Sequence, residues 1–445
     1  MGKDRNPDGV STYPADENDL ASYERASDAL SRLSTPVLLD SSRPNERLFV
    51  AAFDGTGNSM YKDAAENHTN VAEVVKQLEK NESSSIGYGY VEGVGTQGGL
   101  TGVRDLVGGH TYLARLEEMY VQFAAKAKDW IDENPDADIR IASIGFSRGA
   151  EQAAGFTRLV HERGIQDPEG MVVKRDAKGL IESVEFTRPP LVEPGRIPQA
   201  VGLFDPVGTG EPRNHDRRLP PSVLSGFQIS AEDERRNLFQ STWLLDPGMT
   251  DNGRFLNVTV GGAHSNIGGS YQLNGLAIRS GNLMVDYLNA LGSDPYLVKR
   301  AEPAAPELNV VHRSEEHQFF YRTSVHDRAG SRGTVELLAP PTLCRLDCLD
   351  AHPRDEPMAT RFDFRPVAIG PVPSGHDAPA PVQAATAMEA QDARSRLDAL
   401  LAGRVSASLQ QGWDRDVAAR LPELQPAIDR EPAQPRQPAP PELVH

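Results

Sequence analysis

The stretch from Ile139 to Val160 constrains the fold of this chain more than any other part of the sequence. Ile139–Ile144 alternates in polarity and then runs apolar, which is typical of a buried strand. Gly145–Gly149 follows with the pattern G-x-S-x-G, and Ala150–Val160 places small and apolar residues at helical spacing. Strand, G-x-S-x-G and helix in this order predict a nucleophile elbow, a sharp turn that exposes a serine hydroxyl above a sheet.

The elbow predicts a chemical role for two of its residues. Ser147 is the expected nucleophile. Its backbone turn is expected to be so strained that the flanking positions, Gly145 and Gly149, have no room for a Cβ atom and must be glycine. The N–H of Arg148 is expected at the start of the following helix, where an anionic oxygen is favoured. A chance G-x-S-x-G in a loop is the alternative interpretation, and the flanking strand and helix favour catalysis.

A second polar turn follows another predicted buried strand, Leu48–Phe53. Asp54, Gly55 and Thr56 begin this turn, and ligands of open α/β sheets bind at such carboxyl ends of strands. One interpretation is that the turn supplies a backbone N–H to an oxyanion. Another makes Asp54 a phosphotransfer nucleophile, which is disfavoured because Ala52 and Thr56 stand where a second acid is usual. An ordinary Asp-Gly turn also stays possible.

An acid and a histidine follow the serine in the order that α/β-hydrolases use. Asp205 ends the predicted strand Ile197–Phe204, where a triad acid would orient an imidazole. An Asp that only caps the next turn is the alternative. His264 follows the predicted strand Arg254–Val260 in a glycine-rich loop, which gives a general base room to approach the serine. His326 is the reserve candidate for that base.

Composition excludes several classes of function. The chain has 445 residues and a formal charge of −17, from 46 basic and 63 acidic side chains, which argues against nucleic-acid binding. Its two cysteines, Cys344 and Cys348, are too few for a disulfide framework. No apolar run approaches the length of a membrane span, and the N-terminal residues lack a signal peptide's apolar core. We therefore expect a protein made in the cytoplasm, whose chemistry requires no metal or cofactor.

These observations predict an α/β fold with a mostly parallel sheet, helices on both faces, an inserted hairpin and a C-terminal extension. The hairpin is predicted at Met171–Thr187, and the glycine-rich stretch Ile86–His110 is interpreted as a lid or wall over the pocket. The predicted parts are a flexible lead-in at 1–45, a catalytic domain at 46–340, a partly helical extension at 341–430 and a proline-rich tail at 431–445.

Five short segments occur in order along the chain. They are FDGTGN at Phe53–Asn58, HTNV at His68–Val71, GFSRGA at Gly145–Ala150, LFDPVG at Leu203–Gly208 and GAHSNIGGSY at Gly262–Tyr271. Together they resemble the α/β-hydrolase domain of Tle-type phospholipases, the lipase effectors of bacterial type VI secretion. The resemblance covers about residues 47–291.

The resemblance implies phospholipase A1 or A2 activity with Ser147 as nucleophile, Asp205 as acid and His264 as base. It implies a phospholipid substrate reached by peripheral membrane contact, a secretion apparatus or adaptor, and an immunity protein in the producing cell. Delivery to the periplasm or membrane of a rival bacterium is implied as well. Two other functions stay open: a soluble carboxylesterase of small acyl esters, and a catalytically silent hydrolase fold used for protein interaction.

Overall fold

The computed structural model describes residues 7–93, 111–177, 179–208, 210–316, 332–335, 337–340, 342–343 and 354–373. The chain divides into two compact units, Met1–Ala384 and Ala385–His445, and every described residue lies in the first. The predicted boundaries at residues 46, 341 and 431 therefore stay predictions.

The described residues form short and long strands in alternation with helices. The strands are β1 (Thr12–Pro14), β2 (Ser34–Pro36), β3 (Glu46–Phe53), β4 (Ile86–Val91), β5 (Asp138–Phe146), β6 (Met171–Arg175), β7 (Ile181–Phe186), β8 (Gln199–Phe204), β9 (Val223–Ala231), β10 (Ser241–Thr242), β11 (Gly248–Met249), β12 (Phe255–Val260), β13 (Val310–His312), β14 (Thr334–Val335) and β15 (Phe364–Pro366). The α-helices are α1 (Glu17–Leu30), α2 (Asn70–Lys80), α3 (Tyr112–Glu133), α4 (Arg148–Arg163), α5 (His264–Gly268), α6 (Gly275–Ala290) and α7 (Glu356–Ala359).

Seven strands form one sheet in the order β11-β12-β9-β8-β5-β3-β4. Every neighbouring pair runs parallel except β11 and β12, which are antiparallel. Parallel neighbours require crossover connections, and the helices supply most of these. The predicted α/β fold with a mostly parallel sheet is confirmed.

Helices cover both faces of this sheet. Successive strand residues point to opposite faces, and all eight residues of β3 are buried. Val50 of β3 joins an apolar cluster with α1, α2 and α6. The next residue, Ala51, joins a second cluster with α3 and α4, which includes the fully buried Trp130. Burial of one such large side chain stabilises the fold by about 1.5–3 kcal/mol.

The structure supplies a strand that the sequence analysis did not predict. β9 lies between β8 and β12 and is buried at every residue, although its sequence VLSGFQISA mixes apolar and polar side chains. Its polar groups are satisfied inside the fold, since Gln228 donates to the Thr242 carbonyl and Ser225 accepts from Tyr287. A central strand that contains polar residues lacks the continuous apolar pattern of a buried strand, so hydrophobic periodicity does not predict it.

Two other segments correct or refine the predictions. Met171–Thr187 is the expected antiparallel hairpin, formed by β6 and β7. The glycine-rich segment is partly regular, because Ile86–Val91 is the edge strand β4 and not a lid. Residues 94–110 of that segment lie outside the described residues.

The described part of the predicted lead-in, residues 7–45, packs into the fold. β1 pairs with β13 and β2 with β15, both antiparallel. Helix α1 buries Tyr23, Ala26 and Leu30 in the apolar cluster of the α6 side of the sheet. Four of its 14 residues are buried, so α1 packs one face on the core and leaves the other face at the surface.

Candidate active site

Ser147 occupies the turn between β5 and α4, as the elbow motif predicts. Its backbone has φ 61° and ψ −126°, a conformation that L-residues rarely adopt and that marks local strain. The residue is 2% exposed, and its N–H donates to the Phe204 carbonyl at 3.0 Å. The sequence-based interpretation of the two glycines also agrees with the structure. A Cβ on Gly145 would lie 2.2 Å from the Gly149 carbonyl oxygen, and one on Gly149 would lie 2.3 Å from the Phe53 carbonyl oxygen.

Asp205 follows β8, the strand next to β5, so the acid and the serine leave the sheet at the same edge. Its φ of 41° lies in the left-handed region, which residues other than glycine rarely adopt. The missed strand β9 contributes here, because the N–H of its last residue, Ala231, donates to Asp205 Oδ1 at 2.9 Å.

His264 is hydrogen-bonded to Asp205, as the predicted triad requires. Its Nδ1 lies 2.5 Å from Asp205 Oδ2, and the residue is 4% exposed. The histidine starts the short helix α5 and does not lie in a loop, which corrects the sequence-based interpretation. Two aromatic rings fix the imidazole, Phe146 with centroids 4.6 Å apart and Phe239 at 5.0 Å. Because Phe146 immediately precedes Ser147, the histidine packs beside the elbow.

The electrostatics of this pair define the protonation of the imidazole. Burial alone would raise the pKa of Asp205, but Arg332 and His264 outweigh burial and lower that pKa to about 2. An ionised carboxylate can only accept hydrogen bonds, so the proton of the shared bond belongs to His264 Nδ1. Burial also lowers the pKa of His264, against the opposing effect of Asp205. At neutral pH the imidazole is therefore neutral, with Nε2 unprotonated.

The predicted oxyanion loop is anchored by Asp54. Its carboxylate is 1% exposed and accepts from the Gly55 N–H at 2.7 Å, Thr69 Oγ1 at 2.7 Å and the Tyr90 hydroxyl at 2.5 Å. Burial raises the pKa of Asp54 to about 6, although these hydrogen bonds oppose the rise. Asp54 thus holds the loop in place, and the N–H of Gly55 is already engaged.

Thr56 connects this loop to the elbow. Arg148 Nε donates to Thr56 Oγ1 at 2.8 Å, so the side chain after the serine contacts the loop that the sequence analysis singled out. The HTNV segment joins the same assembly, because Thr69 bonds Asp54 and Asn70 Nδ2 donates to the Ile267 carbonyl of α5 at 2.8 Å. Four of the five sequence segments therefore meet around one edge of the sheet, and Asp205 of the fifth lies there too.

Helix α5 is also anchored from the other side of the site. Asn266 Nδ2 donates to the Val310 carbonyl and to His312 Nδ1, both at 2.9 Å. His312 Nε2 in turn lies 3.0 Å from Asp8 Oδ2. The histidine of the candidate site thus belongs to a helix that both β13 and the N-terminal segment hold.

Sequence reasoning missed several charged neighbours of His264. The sequence of the run Asp233–Arg236 is consistent with either a solvated face or an ion-pair set, and the structure shows a buried ion pair in it: Arg236 Nη2 lies 2.8 Å from Glu234 Oε2. Burial alone would raise the pKa of Glu234, but Arg236 lowers it to about 2. The backbone N–H of His264 donates to Glu234 Oε2 at 3.4 Å. Arg332, which bonds Asp205, follows no recognisable motif and gave no signal in the sequence.

Some predicted groups cannot be compared with the structure. His326, Cys344 and Cys348 lie outside the described residues. Within the described ranges, no cluster of three or more His, Cys, Asp or Glu side chains could hold a metal ion. No helix in the same part of the chain has the length and apolar character needed to cross a membrane.

The fold and the site geometry define an α/β protein with a serine elbow beside a bonded Asp–His pair. Residues 47–185 match the family model described as type VI secretion system phospholipase effector Tle1-like, catalytic domain. This match covers β3 to β7, including Asp54 and Ser147, and it confirms the resemblance inferred from the sequence segments. Asp205, His264 and Arg332 lie beyond the matched range. No curated protein matches the chain.

Several solved structures are similar at low identity. The Tle1 effector bound to the VgrG spike of the type 6 secretion system shares 20% identity with a TM-score of 0.30, over 51% of each chain. An uncharacterized protein from Pseudomonas aeruginosa shares 15% identity with a TM-score of 0.35, over 94% of this chain and 67% of that one. Esterase 2 of Thermogutta terrifontis shares 15% identity with a TM-score of 0.30, over 58% of this chain and 88% of its own. The chain thus spans about half the length of the Tle1 effector that it matches.

Proposed function

We propose that this protein is a serine-dependent phospholipase that hydrolyses acyl esters of membrane glycerophospholipids, of the A1 or A2 type. The observation that carries the proposal is the 2.5 Å contact between His264 and Asp205 next to the strained Ser147. The match of residues 47–185 to a phospholipase effector catalytic domain supports the substrate class.

In the proposed reaction, His264 Nε2 accepts the proton of the Ser147 hydroxyl as its oxygen attacks the ester carbonyl. Asp205 keeps the other imidazole nitrogen protonated and stabilises the imidazolium that forms. The tetrahedral intermediate collapses as His264 returns the proton to the departing lysophospholipid oxygen. Water, activated by the same histidine, then releases the fatty acid from Ser147.

The oxyanion is proposed to bind between the elbow and the Asp54–Gly57 loop. The N–H of Arg148 at the start of α4 is one donor. Gly55 donates its N–H to Asp54, so the Thr56 N–H is the donor that we assign to the loop. The bond from Arg148 Nε to Thr56 Oγ1 sets the spacing of the two donors. Removal of one such donor typically costs about 100-fold or more in rate.

The first experiment compares Ser147→Ala with a control, Ser143→Ala. Ser143 is another buried serine, and its hydroxyl on β5 has no hydrogen-bond partner among the residues that the structure describes. A fluorophosphonate probe should label the wild type and Ser143→Ala but not Ser147→Ala. Equal labelling of all three proteins would contradict the assignment of the nucleophile, and labelling of none would indicate a catalytically silent hydrolase fold.

The second experiment identifies the substrate. Mixed micelles of phosphatidylethanolamine with different acyl chains at the two glycerol positions should release one free fatty acid, detected by mass spectrometry. Turnover of short-chain nitrophenyl esters without release from the micelles would favour the soluble carboxylesterase instead. Ser147→Ala should lose whichever activity is found.

We further propose that the protein is an antibacterial effector that a secretion apparatus or adaptor delivers to the periplasm or membrane of another cell. The family match supports this proposal, and an immunity protein in the producer would then be needed. Expression with an added periplasmic signal should arrest growth of a test bacterium, whereas Ser147→Ala with the same signal should not. Growth arrest by both proteins would mean that toxicity does not depend on hydrolysis by Ser147.

A further inference from the structure

Arg332 makes a two-point contact with the carboxylate of Asp205. Its Nη1 lies 2.5 Å from Asp205 Oδ1 and its Nη2 lies 2.9 Å from Oδ2. The Arg332 side chain is 7% exposed, and parallel bonds of this kind fix the plane of a carboxylate as well as its charge. The second oxygen, Oδ2, is also the one that His264 Nδ1 contacts.

The backbone next to Arg332 is held in place by the protein. The Ser241 N–H donates to the Gly333 carbonyl at 2.9 Å, and β14 pairs in parallel with β10. Arg332 Nε donates to the Phe239 carbonyl at 2.9 Å, and Nη1 donates to the Ala231 carbonyl at 3.0 Å. Phe239 is the same residue whose ring contacts His264. The guanidinium therefore links Asp205 to Ala231 at the end of β9 and to Phe239, whose ring contacts His264.

We propose that Arg332 is a positioning residue for ester hydrolysis, which fixes the Asp205 carboxylate in the orientation that holds the His264 imidazole for proton transfer. This inference rests on the proposed function, because it concerns the same triad. It extends that function to a residue far beyond the range matched by the family model.

The argument follows from the hydrogen-bond capacity of a carboxylate. Asp205 Oδ1 accepts from Ala231 and Arg332, and Oδ2 accepts from His264 and Arg332. Without Arg332, each oxygen keeps one donor, and the carboxylate can rotate away from the imidazole. A misoriented acid permits the wrong imidazole tautomer, which places the proton on the nitrogen that must accept one.

Arg332 also balances the charge around the histidine. The charged groups that act on His264 are Asp205 and Glu234, which are negative, and Arg236, which is positive. Arg332 acts on the two carboxylates, Asp205 and Glu234. Asp205 favours the imidazolium, and a cation bound to Asp205 weakens that preference. Loss of the Arg332 charge should therefore raise the pKa of His264.

A purely structural role for Arg332 makes different predictions, because it would affect stability alone. The experiment uses two variants. Arg332→Met removes both the positive charge and the two-point contact, whereas Arg332→Lys keeps the charge but loses the two-point contact. The control is Arg254→Met. Arg254 is a buried arginine that immediately precedes β12 and pairs with Glu356. His264 follows the opposite end of that strand.

Steady-state hydrolysis is measured for all four proteins from pH 5 to pH 9, together with thermal unfolding. We expect both Arg332 variants to lose about 10-fold or more in kcat with little change in KM. The acid limb of kcat/KM should move to higher pH in Arg332→Met and stay in place in Arg332→Lys. Arg254→Met should keep the wild-type kcat and acid limb. Wild-type kcat and an unmoved limb in Arg332→Met would overturn the proposal.

A second readout needs no turnover. The downfield Nδ1–H resonance of His264 is titrated by proton NMR in the wild type, Arg332→Met and Arg332→Lys. If the wild type hydrolyses no ester but the titration midpoint rises in Arg332→Met alone, the proposed function fails and the positioning role stands. If hydrolysis depends on Ser147 but neither kcat nor the His264 titration midpoint changes in the Arg332 variants, the positioning role fails and the proposed function stands. If Arg332→Met does not fold, Arg332→Lys decides: a wild-type kcat in that variant overturns the proposal.

Discussion

The ring of Phe146 lies 4.6 Å from the imidazole of His264, measured between centroids, at an interplanar angle of 34°. Two glycines make room for this ring on opposite edges. A Cβ on Gly55 would lie 2.2 Å from Phe146 Cδ1, and one on Gly268 would lie 2.1 Å from Cε2. The Asp54–Gly57 loop and α5 thus both pack on the ring of Phe146, and we expect this ring to set the position of the candidate base.

Gly268→Ala should therefore displace either the Phe146 ring or α5. Overpacking of a dense core typically costs about 1–3 kcal/mol of stability. A shift of about 1 Å in the histidine can reduce the rate by about 100-fold. We expect a lower kcat at temperatures where the variant is still folded, measured beside its thermal unfolding.

The matched control for that variant is Gly370→Ala. The nearest atom to an added Cβ there is Asp286 Oδ1 at 3.3 Å, so this neighbour would need to move by only a few tenths of an ångström. It should keep the activity of the wild type. Equal kcat in both glycine variants would show that Phe146 does not set the position of the base.

The pH dependence of hydrolysis should reflect the neutral form of His264. Burial lowers the pKa of this imidazole below its ordinary value of 6.5, and a general base works only above its pKa. The acid limb of kcat/KM should consequently have its midpoint below pH 6.5. A midpoint clearly above that value, measured with a soluble ester to avoid changes in the lipid surface, would contradict the assignment.

Asp205→Asn should reduce kcat by about 10,000-fold while the protein stays folded, because an amide can stabilise the wrong imidazole tautomer. The same change leaves Arg332 without its anionic partner, so some loss of stability is expected too. Kinetics and circular dichroism of the purified variant separate these effects. Activity within 10-fold of the wild type would exclude Asp205 as the triad acid.

Asp54 gives the fold a distinctive pH dependence. Its folded pKa of about 6 exceeds the ordinary value of 3.8, so the folded state retains a proton that the unfolded state has lost. The stability that this group contributes is complete below pH 3.8 and declines until the pH passes about 6. A shift of this size corresponds to at most about 3 kcal/mol.

Asp54→Asn removes that titration. Between pH 4 and pH 7 the wild type should lose up to about 3 kcal/mol of unfolding free energy relative to the variant. Urea unfolding of both proteins at the two pH values measures this difference, in which the titrations of other groups cancel. Parallel pH dependences for the two proteins would mean that Asp54 stays ionised in the folded state.

The sequence predicted the elbow, the helices on either side of the sheet and the segments that gather at its edge, because local spacing and turn chemistry carry those signals. It missed β9, whose polar side chains find partners only in the folded protein. It also gave no indication of Arg332, since contact with Asp205 spans 127 positions of sequence. For the run Asp233–Arg236 the sequence leaves a solvated face and an ion-pair set open, because the burial that distinguishes them depends on the fold.

The bond between His312 and Asp8 joins positions 304 residues apart, and α5 rests on it through Asn266. The chain between Asp8 and His312 must come together before their contact can stabilise the fold, and this loss of chain entropy slows assembly of the region. Chains grow on the ribosome by about 5–20 residues per second. The turn that holds Ser147 therefore emerges many seconds before the segment that anchors α5, and until that segment emerges the growing chain carries Ser147 without a firmly held His264.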